Sequence, residues 1–103
     1  MQTCRFALAA ILAALSFPST SISQEDGTAR SLAATCANCH GTDGRSVTKE
    51  VVPLAGLPKE HIVTQMKAFK DGTRQATIMH QIAKGYTDQQ IDLIAGYFAA
   101  QRK

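Results

Sequence analysis

The sequence predicts a small all-α protein, and three observations point to that class. Apolar residues recur at the spacing of an α-helix in three stretches, around residues 29–36, 62–69 and 91–98. Segments rich in glycine, proline and polar residues separate these stretches. The remaining apolar segment, residues 51–58, contains two prolines and a glycine, and no second strand-like segment exists to pair with it. At 103 residues, the chain has room for one small domain and a short appendage.

The first 23 residues have the layout of a secretory signal peptide. Arg5 gives a positive start, residues 6–17 form a nearly unbroken apolar run, and Ser21 and Ser23 are small residues suited to a cleavage site. The run is too short to span a membrane, which takes about 20 residues; a retained anchor is the alternative. We therefore predict export to the bacterial periplasm, cleavage before Gln24, a mature domain of residues 24–103, and no membrane insertion after cleavage.

The first helix is predicted to lead directly into a short motif, Cys36-Ala37-Asn38-Cys39-His40. Asp26 or Thr28 is expected to cap the start of this helix, since both are residue types preferred at that position. One apolar face then continues into the motif, formed by Ala29, Leu32, Ala33 and Cys36.

Cys-x-x-Cys-His is the attachment motif of a c-type haem. Cysteines three apart on a helix point the same way, so both thiols can bond to one haem, while His40 binds its iron from one side. A redox disulfide motif would sit in a strand–helix pattern. A zinc site would need two more ligands, and His61 and His80 lie too far apart for the usual spacing. We predict one covalent haem c, with Cys36 and Cys39 as its thioether residues and His40 as an axial ligand.

The composition of residues 24–103 agrees with a haem domain. Cys4 and Arg5 leave with the signal peptide, so two cysteines remain, and ten basic residues face eight acidic ones for a net charge of +2. So small a charge argues against nucleic acid as a partner. No cysteine is left for a structural disulfide, and a core of about 80 residues stabilises a fold by only a few kcal/mol. We therefore expect the haem-free chain to be largely unfolded.

The middle of the chain is predicted to contain two loops and a second helix. Residues 41–49 are polar and form the first loop, while residues 51–58 form an apolar loop that covers the haem. Pro58 suits the first position of the following helix, and Gly72 ends it. The buried stripe of that helix comprises Ile62, Val63, Met66 and Phe69.

The residue on the other face of the iron largely decides what such a haem does. A methionine opposite a histidine raises the reduction potential and suits electron transfer. Met66 lies in a helical stripe, where methionine usually fills a core, whereas Met79 follows an irregular stretch that can bring its sulfur to the iron. We predict Met79 as the second axial ligand, with the neighbouring His80 as its competitor, and expect His61 to face water.

The last helix is predicted from a capping box. Thr87 and Gln90 have the required spacing, and Gly96 inside the helix is expected to allow close contact with another helix. Its apolar face comprises Ile91, Ile94, Ala95 and Phe98.

These features together resemble the class I cytochromes c over essentially all of residues 24–103. The resemblance implies a small mono-haem, all-α fold whose first and last helices cross, with Gly96 and Tyr97 at the crossing. It also implies that a loop carbonyl accepts a hydrogen bond from the free nitrogen of the histidine ligand. Pro53 directly precedes Leu54 here, whereas the family usually has one residue between them, so either Pro53 or Val52 supplies that carbonyl.

Residues 66–72, 76–86 and 95–98 are similar to the cytochrome subunit of flavocytochrome c sulfide dehydrogenase. The resemblance implies Met79 as axial ligand and a flavoprotein partner that oxidises sulfide at its FAD and passes electrons to the haem. The FAD and the sulfide chemistry would then belong to the partner, and this chain would carry electrons only. The alternative is a free-standing electron shuttle between another redox protein, such as a dehydrogenase or cytochrome bc complex, and a terminal oxidase.

Overall fold

The computed structural model describes residues 16–21 and 23–103, so the predicted signal peptide lies largely outside the described residues. Within these ranges the chain forms helices and no strand, which confirms the all-α prediction. No helix in the same ranges is long and apolar enough to cross a membrane. The elements are α1 (Gln24–Ala34), α2 (Ala37–His40), a 3₁₀ turn (Thr42–Gly44), α3 (Lys59–Asp71), α4 (Met79–Lys84) and α5 (Asp88–Ala99).

Helix α1 is capped by Ser23. The Ser23 backbone is extended, and its Oγ accepts a hydrogen bond from the Asp26 backbone N–H at 3.2 Å. The same Oγ donates to the Asp26 carboxylate at 2.7 Å. The prediction of Asp26 or Thr28 as the cap is wrong, because serine caps equally well and lies one residue before the first helical turn. Cleavage before Gln24, which stays a prediction, would remove this cap.

The first and last helices pack against each other, as the resemblance implied. Helix α5 begins with the predicted capping box: the Thr87 Oγ accepts from the Gln90 backbone at 3.1 Å, and the Gln90 side chain accepts from the Thr87 N–H at 2.9 Å. Its predicted apolar face is buried throughout. Ala29 and Ala33 are the buried residues of α1, so small side chains let the two helices approach.

Helices α3 and α4 complete the fold and pack against each other. Pro58 precedes α3 as its N-terminal flanking residue, one position earlier than predicted, and Gly72 ends α3 in a left-handed conformation, with φ of 78°. Met79, predicted to follow an irregular stretch, is the first residue of α4. The residues from His80 to Lys84 continue α4, and Gly85 caps its C-terminal end.

The buried core is small and rich in alanine. Half of the buried apolar residues in the described ranges are alanines, and Phe98 and Ile91 are the large side chains that are fully buried. Because the hydrophobic stabilisation grows with the apolar area removed from water, alanines contribute little each. The core comprises Ala29, Ala33, Ala55, Ile62, Met66, Ala83, Ile91, Ile94, Ala95 and Phe98.

Gly96 does not provide a close helix contact, so that prediction is wrong. A Cβ added at Gly96 would meet only the Lys59 Cε outside its own helix, at 3.9 Å, which is ordinary van der Waals contact. The buried small residue that α5 contributes to the core is Ala95 instead.

Replacing Gly96 with alanine should therefore stabilise the protein. Alanine is favoured over glycine inside a helix by about 0.5–1 kcal/mol, and the added methyl group has room. Gly44→Ala is the matched contrast: φ is +79°, and the new Cβ would lie 2.8 Å from both the Ala55 backbone N and the Phe98 ring. Gly44→Ala should cost at least about 2 kcal/mol. Guanidinium unfolding of both holoprotein variants checks this, and a loss of stability in Gly96→Ala would contradict it.

Candidate functional site

The Cys-x-x-Cys-His motif forms one helical turn. The His40 backbone N–H donates to the Cys36 carbonyl at 2.9 Å, so Cys36 and His40 are joined across a single turn with Cys39 between them. Both thiols are free; Cys36 is half-buried and Cys39 exposed. Burial raises the pKa of the Cys36 thiol, although a hydrogen bond with Thr35 opposes it. The turn thus presents two unpaired thiols and an imidazole from one short segment.

The backbone after the motif turns sharply at Gly41. Its φ is +83°, and a Cβ there would lie 2.1 Å from the Arg45 carbonyl oxygen, which no side chain can accommodate. The Gly41 N–H ends α2 by donating to the Ala37 carbonyl at 3.1 Å. Glycine at this position lets the chain leave α2 directly after His40.

The His40 ring is held by a carbonyl of the apolar loop. Its Nδ1 lies 2.7 Å from the Val52 carbonyl oxygen. Because a carbonyl only accepts, Nδ1 carries the proton, and Nε2 is left with a free lone pair. A lone pair on Nε2 is what binding to a metal requires.

Of the two residues that the sequence left open for this role, Val52 supplies the carbonyl and Pro53 does not. The ring of a proline restricts the preceding residue to extended conformations. Pro53 therefore acts on this hydrogen bond through the backbone of Val52, whose carbonyl direction it limits.

Backbone hydrogen bonds fix the loop that carries Val52. The Gly44 carbonyl accepts from the Leu54 N–H at 2.8 Å and from the Ala55 N–H at 3.2 Å. The Gly56 N–H donates to the Phe98 carbonyl near the end of α5, at 2.9 Å. The loop is thus tied to the segment after His40 on one side and to α5 on the other.

The other predicted candidates lie on α3 and α4. Met66 is buried in the core and His61 is exposed, as expected. Met79 is half-buried at the start of α4 and packs against the core, so it belongs to a different element from the Cys36–His40 turn. His80 is half-buried, and its Nδ1 is buried without a hydrogen-bond partner in the described residues.

Sequence reasoning missed one part of the site, the Tyr97 hydroxyl and its partner Asp43. Tyr97 donates a hydrogen bond to the Asp43 carboxylate at 2.5 Å, across 54 positions of the chain. An aspartate between Gly41 and Gly44 hints at a turn with a special backbone conformation. No local pattern points to a tyrosine in α5 as its partner.

The donor set fits a covalent haem c. Two free thiols lie on one turn with a histidine whose Nε2 lone pair is free, and a methionine is present on another element. In the described residues, the Cys36–His40 turn included, no group of three or more His, Cys, Asp or Glu side chains is placed to hold a bare metal ion.

Comparison with known proteins decides the family. The family model described as "Cytochrome c" matches residues 24–101, which is most of the chain. The chain belongs to the cytochrome c family. Membership of this family implies one covalently bound haem c and a role in electron transfer.

Two relatives and one solved structure illustrate this membership. The cytochrome subunit of sulfide dehydrogenase from Chlorobaculum tepidum is 48% identical over 68 residues, covering 65% of this chain and 60% of that protein. Cytochrome c-554(548) from Halomonas halodenitrificans is 36% identical over 70 residues, covering 65% of this chain and 84% of that protein. A cytochrome c4 structure from Acidithiobacillus ferrooxidans has 32% identity and a TM-score of 0.64, covering 71% of this chain and 49% of that one.

These comparisons confirm the class I cytochrome c fold that the sequence predicted. This chain spans 60% of the sulfide dehydrogenase subunit and about half of the cytochrome c4 chain.

Proposed function

We propose that Cys36 and Cys39 form the thioether bonds to the haem and that His40 and Met79 are the axial ligands of its iron. The free Nε2 lone pair of His40 and the two unpaired thiols on the same turn support this assignment. The haem supplies the chemistry, the uptake and release of one electron at iron.

The protein residues tune and orient that centre. The Val52 carbonyl accepts the His40 Nδ1–H, which fixes the ring and strengthens Nε2 as an electron donor. A thioether ligand from Met79 favours the reduced iron and so raises the reduction potential. His80, the next residue of α4, does not take the axial position in this proposal.

We further propose that the chain is the periplasmic haem subunit that accepts electrons from the FAD subunit of a sulfide-oxidising dehydrogenase. The observation that carries this proposal is the 48% identity to a sulfide dehydrogenase cytochrome subunit. The predicted signal peptide supports the periplasmic location. The chain itself needs no substrate site for this role, since the flavoprotein would oxidise the sulfide.

A free-standing electron shuttle is the second candidate. It is favoured by cytochrome c-554(548), a relative of which this chain covers 84%. A shuttle meets its partners transiently, whereas a subunit keeps a standing interface that buries about 1,200 Å² or more in total.

Purification of the native protein from its own periplasm separates the two candidates. A subunit should emerge with a larger polypeptide, flavin absorbance and a haem c spectrum, and sulfide should reduce its haem within the complex. Because sulfide can also reduce haem directly, the matched control is the same cytochrome separated from the flavoprotein, which should be reduced far more slowly. A lone haem protein, with no flavin and no faster reduction by sulfide, would contradict the subunit role and leave the shuttle.

A further inference from the structure

One side-chain pair joins α5 to the segment that follows His40. The Tyr97 hydroxyl donates to the Asp43 carboxylate at 2.5 Å, and Asp43 lies three residues after His40. Tyr97 is half-buried and its ring meets the buried Phe98 ring edge-on, with centroids 5.4 Å apart. The Tyr97 ring that carries this hydroxyl therefore packs against the core.

Asp43 occupies a left-handed backbone conformation that such a hydrogen bond stabilises. Its φ is +54°. Among the described residues, Asp43 is the only one other than glycine that has a positive φ. Aspartate adopts this left-handed conformation more readily than most residues with a Cβ, but still at a cost in conformational energy. The hydrogen bond from Tyr97 helps to keep Asp43 in this conformation, at the turn between α2 and the Val52 loop.

Two further hydrogen bonds, one from a side chain and one from the backbone, reinforce the same junction. Arg45, two residues further on, donates from Nε to the Arg102 carbonyl after α5, at 3.1 Å. The Gly56 N–H donates to the Phe98 carbonyl at 2.9 Å. Hydrogen bonds thus join two segments to α5 and the residues after it. One is the turn that follows His40, and the other is the loop that carries Val52.

We propose that the Asp43–Tyr97 hydrogen bond is a clasp that holds the His40 ring against the Val52 carbonyl, which makes Tyr97 a positioning residue for the axial ligand. This inference rests on the proposed role of His40 as an iron ligand. The clasp acts through the 3₁₀ turn, since Gly44 at its end accepts the two N–H groups that fix the loop. When the clasp is lost, the turn loosens and the His40 Nδ1–H spends more time away from its acceptor.

The charges around the clasp keep it closed over a wide pH range. The hydrogen bond from Tyr97 lowers the pKa of Asp43, and the nearby Arg45 and Arg30 act in the same direction. The Asp43 carboxylate raises the pKa of Tyr97, against the influence of both arginines. The clasp therefore weakens only in acid, as the pH falls through the lowered pKa of Asp43, or in strong alkali, as it rises through the raised pKa of Tyr97.

Hydrogen exchange of the His40 ring in the reduced holoprotein tests the clasp. In Tyr97→Phe, exchange of the His40 Nδ1–H, followed by NMR, should accelerate on the order of tenfold, the usual worth of a hydrogen bond to a charged group. The Leu54 amide should accelerate with it, because its acceptor is in the same turn. The reduction potential should rise, since a less firmly bonded His40 donates less electron density to iron. Asp43→Asn, which keeps a neutral acceptor, should show a smaller change.

Tyr86→Phe is the matched control. It removes a tyrosine hydroxyl bonded to Thr35 at 2.9 Å, next to Cys36 but away from the turn after His40. It should leave the His40 exchange rate and the potential at wild-type values. If the His40 ring in Tyr97→Phe exchanges at the wild-type rate, the Asp43–Tyr97 hydrogen bond does not hold it and the clasp is overturned. If buried α5 amides such as Ile94 accelerate equally, the variant is destabilised as a whole, and the clasp is overturned too.

The same spectra show whether the underlying assignment holds. In the wild-type protein, His40 ring protons should be shifted strongly by the haem ring current because they lie directly against the iron. If the His40 ring protons do not show this haem ring-current shift, the ligand role of His40 itself is overturned. Shifted protons with unchanged exchange in Tyr97→Phe would overturn the clasp alone.

Discussion

Replacing Met79 with alanine should leave the haem attached and open its iron to carbon monoxide. Cys36, Cys39 and His40 lie on a separate segment from α4, so the substitution removes one proposed ligand without touching the proposed attachment residues. The weak far-red absorption band of iron–methionine bonding should disappear from the oxidised protein. The potential should fall substantially, within the range of about 0.8 V that axial ligands control.

Met66→Ala is the control that the chain offers for this experiment. Met66 is 7% exposed in the core, so its truncation should cost about 2–5 kcal/mol of stability. It should nevertheless keep the far-red band and stay closed to carbon monoxide. If instead Met79→Ala keeps the band and Met66→Ala loses it, the ligand assignment is wrong. If Met79→Ala loses the band but still does not bind carbon monoxide, His80 has replaced the missing ligand. The double variant Met79→Ala, His80→Ala should then bind carbon monoxide.

Helices α1, α3 and α5 were predictable because each depends on residues close together in sequence, whereas the short helix α4 was not predicted. The Thr87–Gln90 capping box and the apolar stripe of α5 are set by spacing within one or two turns, and the structure confirms both. The Cys36–His40 turn is equally local. Periodicity does not fix where a helix begins when several capping residues are available, so Ser23 replaced the predicted Asp26 or Thr28.

The contacts that the sequence could not predict join distant segments through unusual turns. The choice of Val52 over Pro53 depends on where the loop lies after Gly44 accepts its two backbone N–H groups. The Asp43–Tyr97 pair needs a positive φ at Asp43 that few side chains adopt. The role of Gly96 was misjudged for a related reason: glycine in a helix predicts a close neighbour, and only the packed structure shows that none is present.

A Cys36→Ala, Cys39→Ala double variant, purified without haem, should be largely unfolded. A single core in a domain of about 70–80 residues seldom supplies more than about 3–5 kcal/mol. Here half of that core is alanine, with Phe98 and Ile91 as its fully buried large side chains. Both described cysteines are free, so no disulfide in the described part of the chain limits the entropy of the unfolded state.

In the proposed site, the haem would add apolar surface to that core, and thioether bonds from Cys36 and Cys39 would keep it there. Far-ultraviolet circular dichroism of the double variant should show little helix and no cooperative thermal transition, while the wild-type holoprotein unfolds cooperatively. Cys39→Ala is the informative intermediate: it removes the exposed thiol and keeps the half-buried Cys36, so one thioether should retain haem and a folded, less stable protein. A haem-free double variant with native helix content and a sharp transition would show that the alanine-rich core suffices. The Val52–His40 bond and the ties from the loop to α5 would then be formed before haem attachment, and the haem would enter a finished site. If the variant is unfolded, those same contacts form only once Cys36 and Cys39 have bound the haem, and attachment is itself the folding step.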